Sequence, residues 1–260
     1  MGALEAILLG LLQGLTEFLP VSSSGHLVIA QHFLGIKLPG VNFEVMVHFG
    51  TLLSIVWVFR KDLYRLITHF TDEMEEKKLL LLLIIGTIPT GLMGLFLSSF
   101  FHEMFDKPFV AGLMLLVTGC IIIAIQKINV RNMSIKEMSP WDAVLIGVFQ
   151  GIAIIPGISR SGSTILGALW RGLRKEEAVR FSFLLALPAI AGASFLELGL
   201  SGSGELVNGF LSYNLLAALT AFFSGIFAIT VFIKLLIKDK FYFLAYYCWL
   251  AGILTLLFAG

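Results

Sequence analysis

Residues 10–25 and residues 147–162 carry one pattern twice. At a constant offset of 137, Gly10, Gln13, Gly14, Ser22, Ser24 and Gly25 meet Gly147, Gln150, Gly151, Ser159, Ser161 and Gly162. Apolar residues fill most of the intervening positions. Later matches keep the order at offsets of 133–134: Glu44 with Glu177, Gly91 with Gly225, Lys107 with Lys240, and Gly119 with Gly252. A polar, glycine-rich segment duplicated inside an apolar chain predicts two structural repeats that face one shared site. The copies differ where chemistry differs: Glu17 stands against Ile154, Ser23 against Arg160, and His26 against Ser163.

With 58% hydrophobic and 13% charged residues, the chain lies far from the composition of a soluble domain. Each polar segment is followed by three apolar spans, at 43–60, 79–101 and 107–126, then at 178–200, 212–237 and 241–259. Each span has about the 20 residues that cross a hydrocarbon core. The polar segments are flanked by shorter arms, 3–18 with 24–35 and 141–155 with 163–170. A helix of about 16 residues reaches only about 24 Å, short of a core of roughly 30 Å. The arms therefore predict re-entrant hairpins, broken at Pro20 and Pro156, with irregular backbone tolerated because protein or a wet cavity surrounds it.

The expected fold class is all-α: a polytopic membrane protein of six transmembrane helices plus two re-entrant hairpins. It forms one membrane domain, residues 1–260, made of repeats at about 1–130 and 138–260. Three spans per half is odd, so the halves are expected to be inverted. Fifteen of the 18 Lys and Arg fall in segments 60–78, 127–140, 171–180 and 234–240, whereas Lys37 and Lys107 fall opposite. The positive-inside rule makes the fifteen cytoplasmic, so both termini are expected outside and the first hairpin enters from there. The remaining cation is Arg160, inside the second polar segment. The N-terminus carries Glu5 and no early Lys or Arg, unlike a signal peptide. A net charge of +1 says nothing about partners.

An ionisable side chain at membrane depth is costly and defaults to a functional reading. The first segment supplies Glu17, Ser22, Ser23, Ser24, Gly25 and His26. The second supplies Gly157, Ser159, Arg160, Ser161, Gly162, Ser163 and Thr164, with residues 161–164 opening a helix. Arg offers a planar fork of donors to phosphate oxygens, and glycine-flanked N–H groups at a helix start favour an anion. The Glu17 carboxylate would repel a phosphate unless a cation bridged them, which points to a divalent cation, Mg²⁺ first with Ca²⁺ as the alternative. His26 can move protons near neutral pH, and Ser22 or Ser23 can attack phosphorus or position water. The chemistry indicated is phosphoryl transfer at a membrane.

Each feature has a structural alternative. Small-residue clusters permit close helix packing, and Arg160 could be only a counter-ion to Glu17. His32, His48, His69 and His102 read as packed polar residues, and Cys120 and Cys248 as small buried hydrophobes. Glu44, Asp142 and Glu197 read as helix-end or packing partners, with Glu44 facing Arg180. The phenylalanine-rich stripes read as lipid-facing surface, and residues 72–78 as a solvated loop.

Residues 13–26 and 156–164 resemble the two signatures of the bacterial undecaprenyl-diphosphate phosphatase, or bacitracin-resistance, family, and the resemblance spans the chain. It implies hydrolysis of undecaprenyl diphosphate to the monophosphate in the bacterial cytoplasmic membrane, with a site opening to the outer face. It implies a divalent-cation requirement and roles for Glu17, Ser23, His26 and Arg160. The partners expected are the lipid bilayer and a lipid diphosphate, with no nucleic acid. Of the two serines Ser23 is favoured as the nucleophile, with His26 its base or the acid to the leaving group, and the motif leaves a phosphoserine intermediate and direct attack by water both open. One departure stands in the first motif, where family members often have two acids four residues apart and this chain has Gln13 before Glu17. Gln13 can hydrogen-bond or ligate a cation weakly, but cannot act as a base. A lipid flippase or transporter remains the rival class, since inverted repeats with broken helices are also transporter architecture. The sequence leaves the oligomeric state open, a homodimer included.

Overall fold

In lipid every backbone polar group must find its partner within the chain, and a sequence this apolar meets that demand with helices. The computed structural model describes residues 2–34, 41–68, 74–105, 107–201 and 211–259, and the described residues form twelve α-helices with one 3₁₀ turn. Lys37, His69, Asp72 and Glu73 lie outside the described residues, as do the side chains of His102 and Glu197.

The first polar segment joins α1 (Ala3–Phe18) to α2 (Ser23–Leu34), and the second joins α8 (Pro140–Ile152) to α9 (Arg160–Trp170). Both are short helix pairs. Helix α8 starts on a Ser139–Asp142 capping box with Pro140 in its first turn. Helix α9 begins three residues before the expected 163, because Ser159 is its cap: Ser159 Oγ accepts the Gly162 N–H at 3.1 Å. Arg160 is therefore a first-turn helical residue rather than a loop residue.

The longer helices are α3 (Val41–Val58), α5 (Met74–Phe96), α7 (Pro108–Lys127), α10 (Lys175–Ser201), α11 (Leu211–Ile237) and α12 (Phe243–Phe258). Four of these, within Met74–Phe96, Pro108–Lys127, Lys175–Leu196 and Tyr213–Ile237, are long and apolar enough to cross a membrane. A fifth candidate is a bent pair: after Val58 the chain turns by 75° into α4 (Arg60–Thr68). Residues 60–68, which the sequence marks only as part of a charged segment, are thus helical. Their Leu63, Leu66 and Ile67 share a face opposite Lys61 and Arg65, which suits a helix at an interface rather than a crossing. Helix α12 has 16 residues, fewer than its expected span, and a short α6 (Ser98–Phe105) takes up the end of span 79–101.

Named contacts give the directions. Gly10 and Gly14 of α1 lie on Ala217 and Ala221 of α11, so these helices run parallel. Gly147 and Gly151 of α8 lie on Gly86 and Met93 of α5, also parallel. A Cβ on Gly10 or Gly147 would strike the carbonyl oxygen of Ala217 or Gly86, so only glycine allows either seam to close. Ion pairs Lys136–Glu75, Arg171–Asp142, Arg180–Asp62 and Lys175–Asp239 gather the α3/α4 junction, the starts of α5, α8 and α10, and the end of α11 at one charged end of the molecule. Arg180 meets Asp62 at 2.7 Å and Glu177 at 3.7 Å.

The interior corrects two expectations. Phe18, Phe43, Phe181, Phe183, Phe232 and Phe241 are fully buried, while Phe96, Phe195, Phe223 and Phe227 are exposed, so only part of the phenylalanine content forms outer surface. Phe183 of α10 takes edge contacts from Phe18, Phe59 and Phe232 at 5.6–6.4 Å, tying α1, the α3/α4 junction and α11 together. Cys248 is buried but Cys120 is exposed. An apolar run in this kind of chain does not separate inward from outward positions, because lipid-facing residues are apolar too.

Candidate functional site

The two polar segments meet, and Ser22 joins them. Its φ is 69°, unusual for a residue with a Cβ, and its polar atoms hold it there. Ser22 Oγ accepts the N–H of Gly25 at 3.3 Å and of Gly157, in the other hairpin, at 3.2 Å. It also lies 3.3 Å from Ser24 Oγ. Across the same junction Ser161 Oγ donates to the Leu19 carbonyl at 3.3 Å. Gly157 has φ +96°, and a Cβ there would strike the Ala111 carbonyl. Thr118 of α7 braces this turn, donating to the Gly157 carbonyl at 2.7 Å and accepting the Ser159 N–H at 3.0 Å.

Inside the junction the charges pair. Arg160 Nη2 donates to Glu17 Oε1 at 2.5 Å. Glu17 Oε2 accepts the Ser23 hydroxyl and the Gln13 Nε2–H at 3.1 Å. A carboxylate only accepts, so this contact sets the orientation of the Gln13 amide. Gln13 Nε2 is also 3.1 Å from His48 Nδ1 of α3. Glu17 and Ser23 are buried, and the Arg160 side chain is 15% exposed. Two enclosed atoms in this cluster have no hydrogen-bond partner among the described residues: Arg160 Nη1, a donor, and Gln13 Oε1, an acceptor. Leaving such groups unmatched costs about 1–3 kcal/mol each, more for a charged one, so both suit a polar ligand.

His26 faces elsewhere. Its Nδ1 is 2.7 Å from the Ser22 carbonyl, and its Nε2 is 2.6 Å from the Tyr247 hydroxyl of α12. Its ring nitrogens thus address Ser22 and Tyr247, while Ser23 turns to Glu17. Among the other residues singled out from sequence, Ser159 caps α9, and Thr164 Oγ1 bonds the Arg160 carbonyl at 2.9 Å and Ser182 at 2.5 Å. Ser163 is buried, and Gly162 packs against Pro20 of the first hairpin.

Three polar neighbours were not assigned from sequence: His48, Thr118 and Tyr247. His48 had a usable signal, an ionisable residue within an apolar span. Thr118 had a weaker one, and Tyr247 had none, since its partner lies 221 residues away.

Among the described residues no group of three or more His, Cys, Asp or Glu is placed to hold a metal ion. The oxygens present are the Glu17 carboxylate, the orphaned Gln13 Oε1 and Ser23 Oγ. This small, all-oxygen set fits a hard divalent cation only where phosphate oxygens and water complete its shell, which is the habit of Mg²⁺.

These features define a helical membrane protein whose two polar hairpins place a carboxylate, a hydroxyl and a guanidinium together in its interior. The chain belongs to the family described as bacitracin resistance protein BacA, which it matches over residues 6–254. It is 42% identical over 273 residues to the undecaprenyl-diphosphatase of Alkaliphilus metalliredigens, covering 100% of this chain and 99% of that protein. It is 45% identical over 257 residues to that of Syntrophotalea carbinolica, covering 97% of each, and 42% identical over 258 residues to that of Halothermothrix orenii, covering 98% of each.

Proposed function

We propose that this multi-pass membrane protein hydrolyses undecaprenyl diphosphate to undecaprenyl phosphate and phosphate. The observation that carries the reading is the shared carboxylate of Glu17, which holds the Ser23 hydroxyl on one oxygen and the Arg160 guanidinium on the other. A nucleophile, the group that takes its proton, and a cation for phosphate oxygens are thereby in hydrogen-bond sequence.

In this mechanism the terminal phosphate binds Arg160 through Nη1. Ser23 Oγ attacks phosphorus as its proton passes to Glu17, an Oγ–P bond forms, and the bond from phosphorus to the bridging oxygen breaks. The lipid monophosphate departs with that oxygen. Protonated Glu17 loosens its grip on Arg160, freeing the guanidinium to neutralise charge as it develops on the phosphoryl oxygens. Water then attacks phosphorus and the Oγ–P bond breaks; Glu17 returns its proton to Ser23 Oγ, and the phosphate leaves as H₂PO₄⁻ with the oxygen and both protons of the water. Here Glu17, rather than His26, is the base for Ser23. Glu17 and Gln13 Oε1 would hold a divalent cation, which when bound neutralises diphosphate charge beside the carboxylate.

The same proposal places six crossing segments and two re-entrant hairpins in the bacterial cytoplasmic membrane, with inverted halves, both termini outside and the site opening outward. The paired seams support it: α1 runs parallel to α11, which ends at the charged end, while α8 starts at that end and runs parallel to α5. The Ser23–Glu17 hydrogen bond favours bond-breaking chemistry over lipid passage as the site's task.

The test is phosphate release from undecaprenyl diphosphate by the full chain in detergent, with Mg²⁺ and with chelator. Transport needs a sealed bilayer and hydrolysis does not, so release in detergent supports the phosphatase, and none at any divalent-cation concentration refutes it.

A further inference from the structure

Tyr247 comes from α12, outside both polar hairpins, yet its hydroxyl lies 2.6 Å from His26 Nε2 with the two rings at 8° to one another. A carbonyl only accepts, so the 2.7 Å contact between His26 Nδ1 and the Ser22 carbonyl requires the proton on Nδ1. In the neutral ring Nε2 is then the acceptor, and Tyr247 O–H donates to it. The result is one directed chain, from Tyr247 O–H to His26 and from His26 Nδ1–H to the Ser22 carbonyl. Hydrogen bonds in such a series polarise one another and strengthen.

The chain ends at a residue of unusual backbone conformation. Ser22 is held at φ 69°, and its carbonyl, which also accepts the His26 N–H at 3.3 Å, belongs to the peptide that continues into Ser23. Rotation of that peptide would move the Ser23 hydroxyl off Glu17. We infer that Tyr247 is a positioning residue for the nucleophile: through His26 it clamps the Ser22–Ser23 peptide in the orientation that keeps Ser23 Oγ on the Glu17 carboxylate. The inference rests on the phosphatase reading, and it also assigns His26 a structural task between Tyr247 and Ser22.

The experiment is a double-mutant cycle on the full chain in detergent, using Tyr247→Phe, His26→Ala and both together, with kcat and KM for undecaprenyl diphosphate and ¹⁵N-histidine spectra of wild type and Tyr247→Phe. Tyr247→Phe removes one oxygen and keeps the ring. Its kcat should fall about 10- to 100-fold, the scale on which a small misplacement of a reacting group is felt, with KM within a few-fold. The double variant should be no slower than His26→Ala alone, because the residues act in series. The spectra should show His26 protonated at Nδ1, with its Nε2 resonance moved by Tyr247→Phe. Unchanged kcat, additive losses, an effect on KM alone or an Nε2-protonated ring would overturn the inference. The spectra do not depend on turnover. An inactive wild type with the expected His26 signature would therefore sink the phosphatase reading and leave the hydrogen-bonded chain standing.

Discussion

Arg160 and Glu17, 143 residues apart, lie 2.5 Å from each other at the meeting of the two hairpins. A buried pair of this kind serves stability poorly, since desolvation offsets much of the attraction, but breaking it from one side is costly. Arg160→Ala should lower the rate of lipid-diphosphate hydrolysis by about 10²–10⁴, the range for loss of a charge-stabilising donor. Arg160→Lys should recover little, because an ammonium cannot hold Glu17 and a phosphate oxygen on two arms of one plane. Near-normal turnover by Arg160→Ala in detergent would remove the guanidinium from the mechanism.

Ser23 donates its hydroxyl to the same carboxylate. With labelled terminal phosphate, a short-lived phosphoenzyme should be trapped on acid quench of the wild type and be absent from Ser23→Ala. Glu17→Gln should bind lipid diphosphate but accumulate no phosphoenzyme, because an amide cannot take the proton. Full turnover by Ser23→Ala would assign the attack to water.

Gly157 is a test of the junction rather than of the chemistry. Its φ of +96° and the nearby Ala111 carbonyl both exclude a Cβ. Gly157→Ala should destabilise the folded chain by about 1–3 kcal/mol, read as a lowered thermal midpoint in detergent, since strain of this type carries about that cost. Activity should fall as well, because Ser22 Oγ loses the alignment of the Gly157 N–H. A midpoint equal to wild type would mean that the two turns are not packed as described.

Much of this site was legible because local chemistry marked it. Glycine, serine and proline interrupt the apolar runs at Pro20–Gly25 and Pro156–Gly162, and the 137-residue offset already implied that the interruptions meet. The arms of the first hairpin fell within one residue of α1 and α2, since caps and breakers are local. What escaped depended on long-range geometry. The partners of His26 and Gln13 sit on α12 and α3, and no periodicity records which apolar helix turns which face inward. The ending of α9 is readable in the sequence but its start is not, because a serine in a polar, glycine-rich segment looks the same whether it caps a helix or faces a ligand. The bend after Val58 escaped because a charge-rich amphipathic helix and a polar loop look alike in composition.

Gln13 offers the clearest test of the cation. Its Nε2 is engaged by Glu17 and His48, while Oε1 is enclosed without a partner among the described residues. If Oε1 helps hold the ion beside Glu17, Gln13→Ala should raise the Mg²⁺ concentration needed for half-maximal activity, with kcat at saturating Mg²⁺ reduced far less. Gln13→Glu adds a carboxylate four residues before Glu17, on the same helix face, and should lower that concentration, because a second anionic oxygen raises affinity for a hard cation. It also sets two carboxylates side by side without added cation, which like-charge repulsion disfavours. Gln13→Glu should therefore be stabilised by Mg²⁺ against heat more than the wild type is. The measurements are an Mg²⁺ titration of phosphate release after chelation, and thermal midpoints with and without the ion. If all three proteins share one Mg²⁺ dependence, Gln13 does not face the metal.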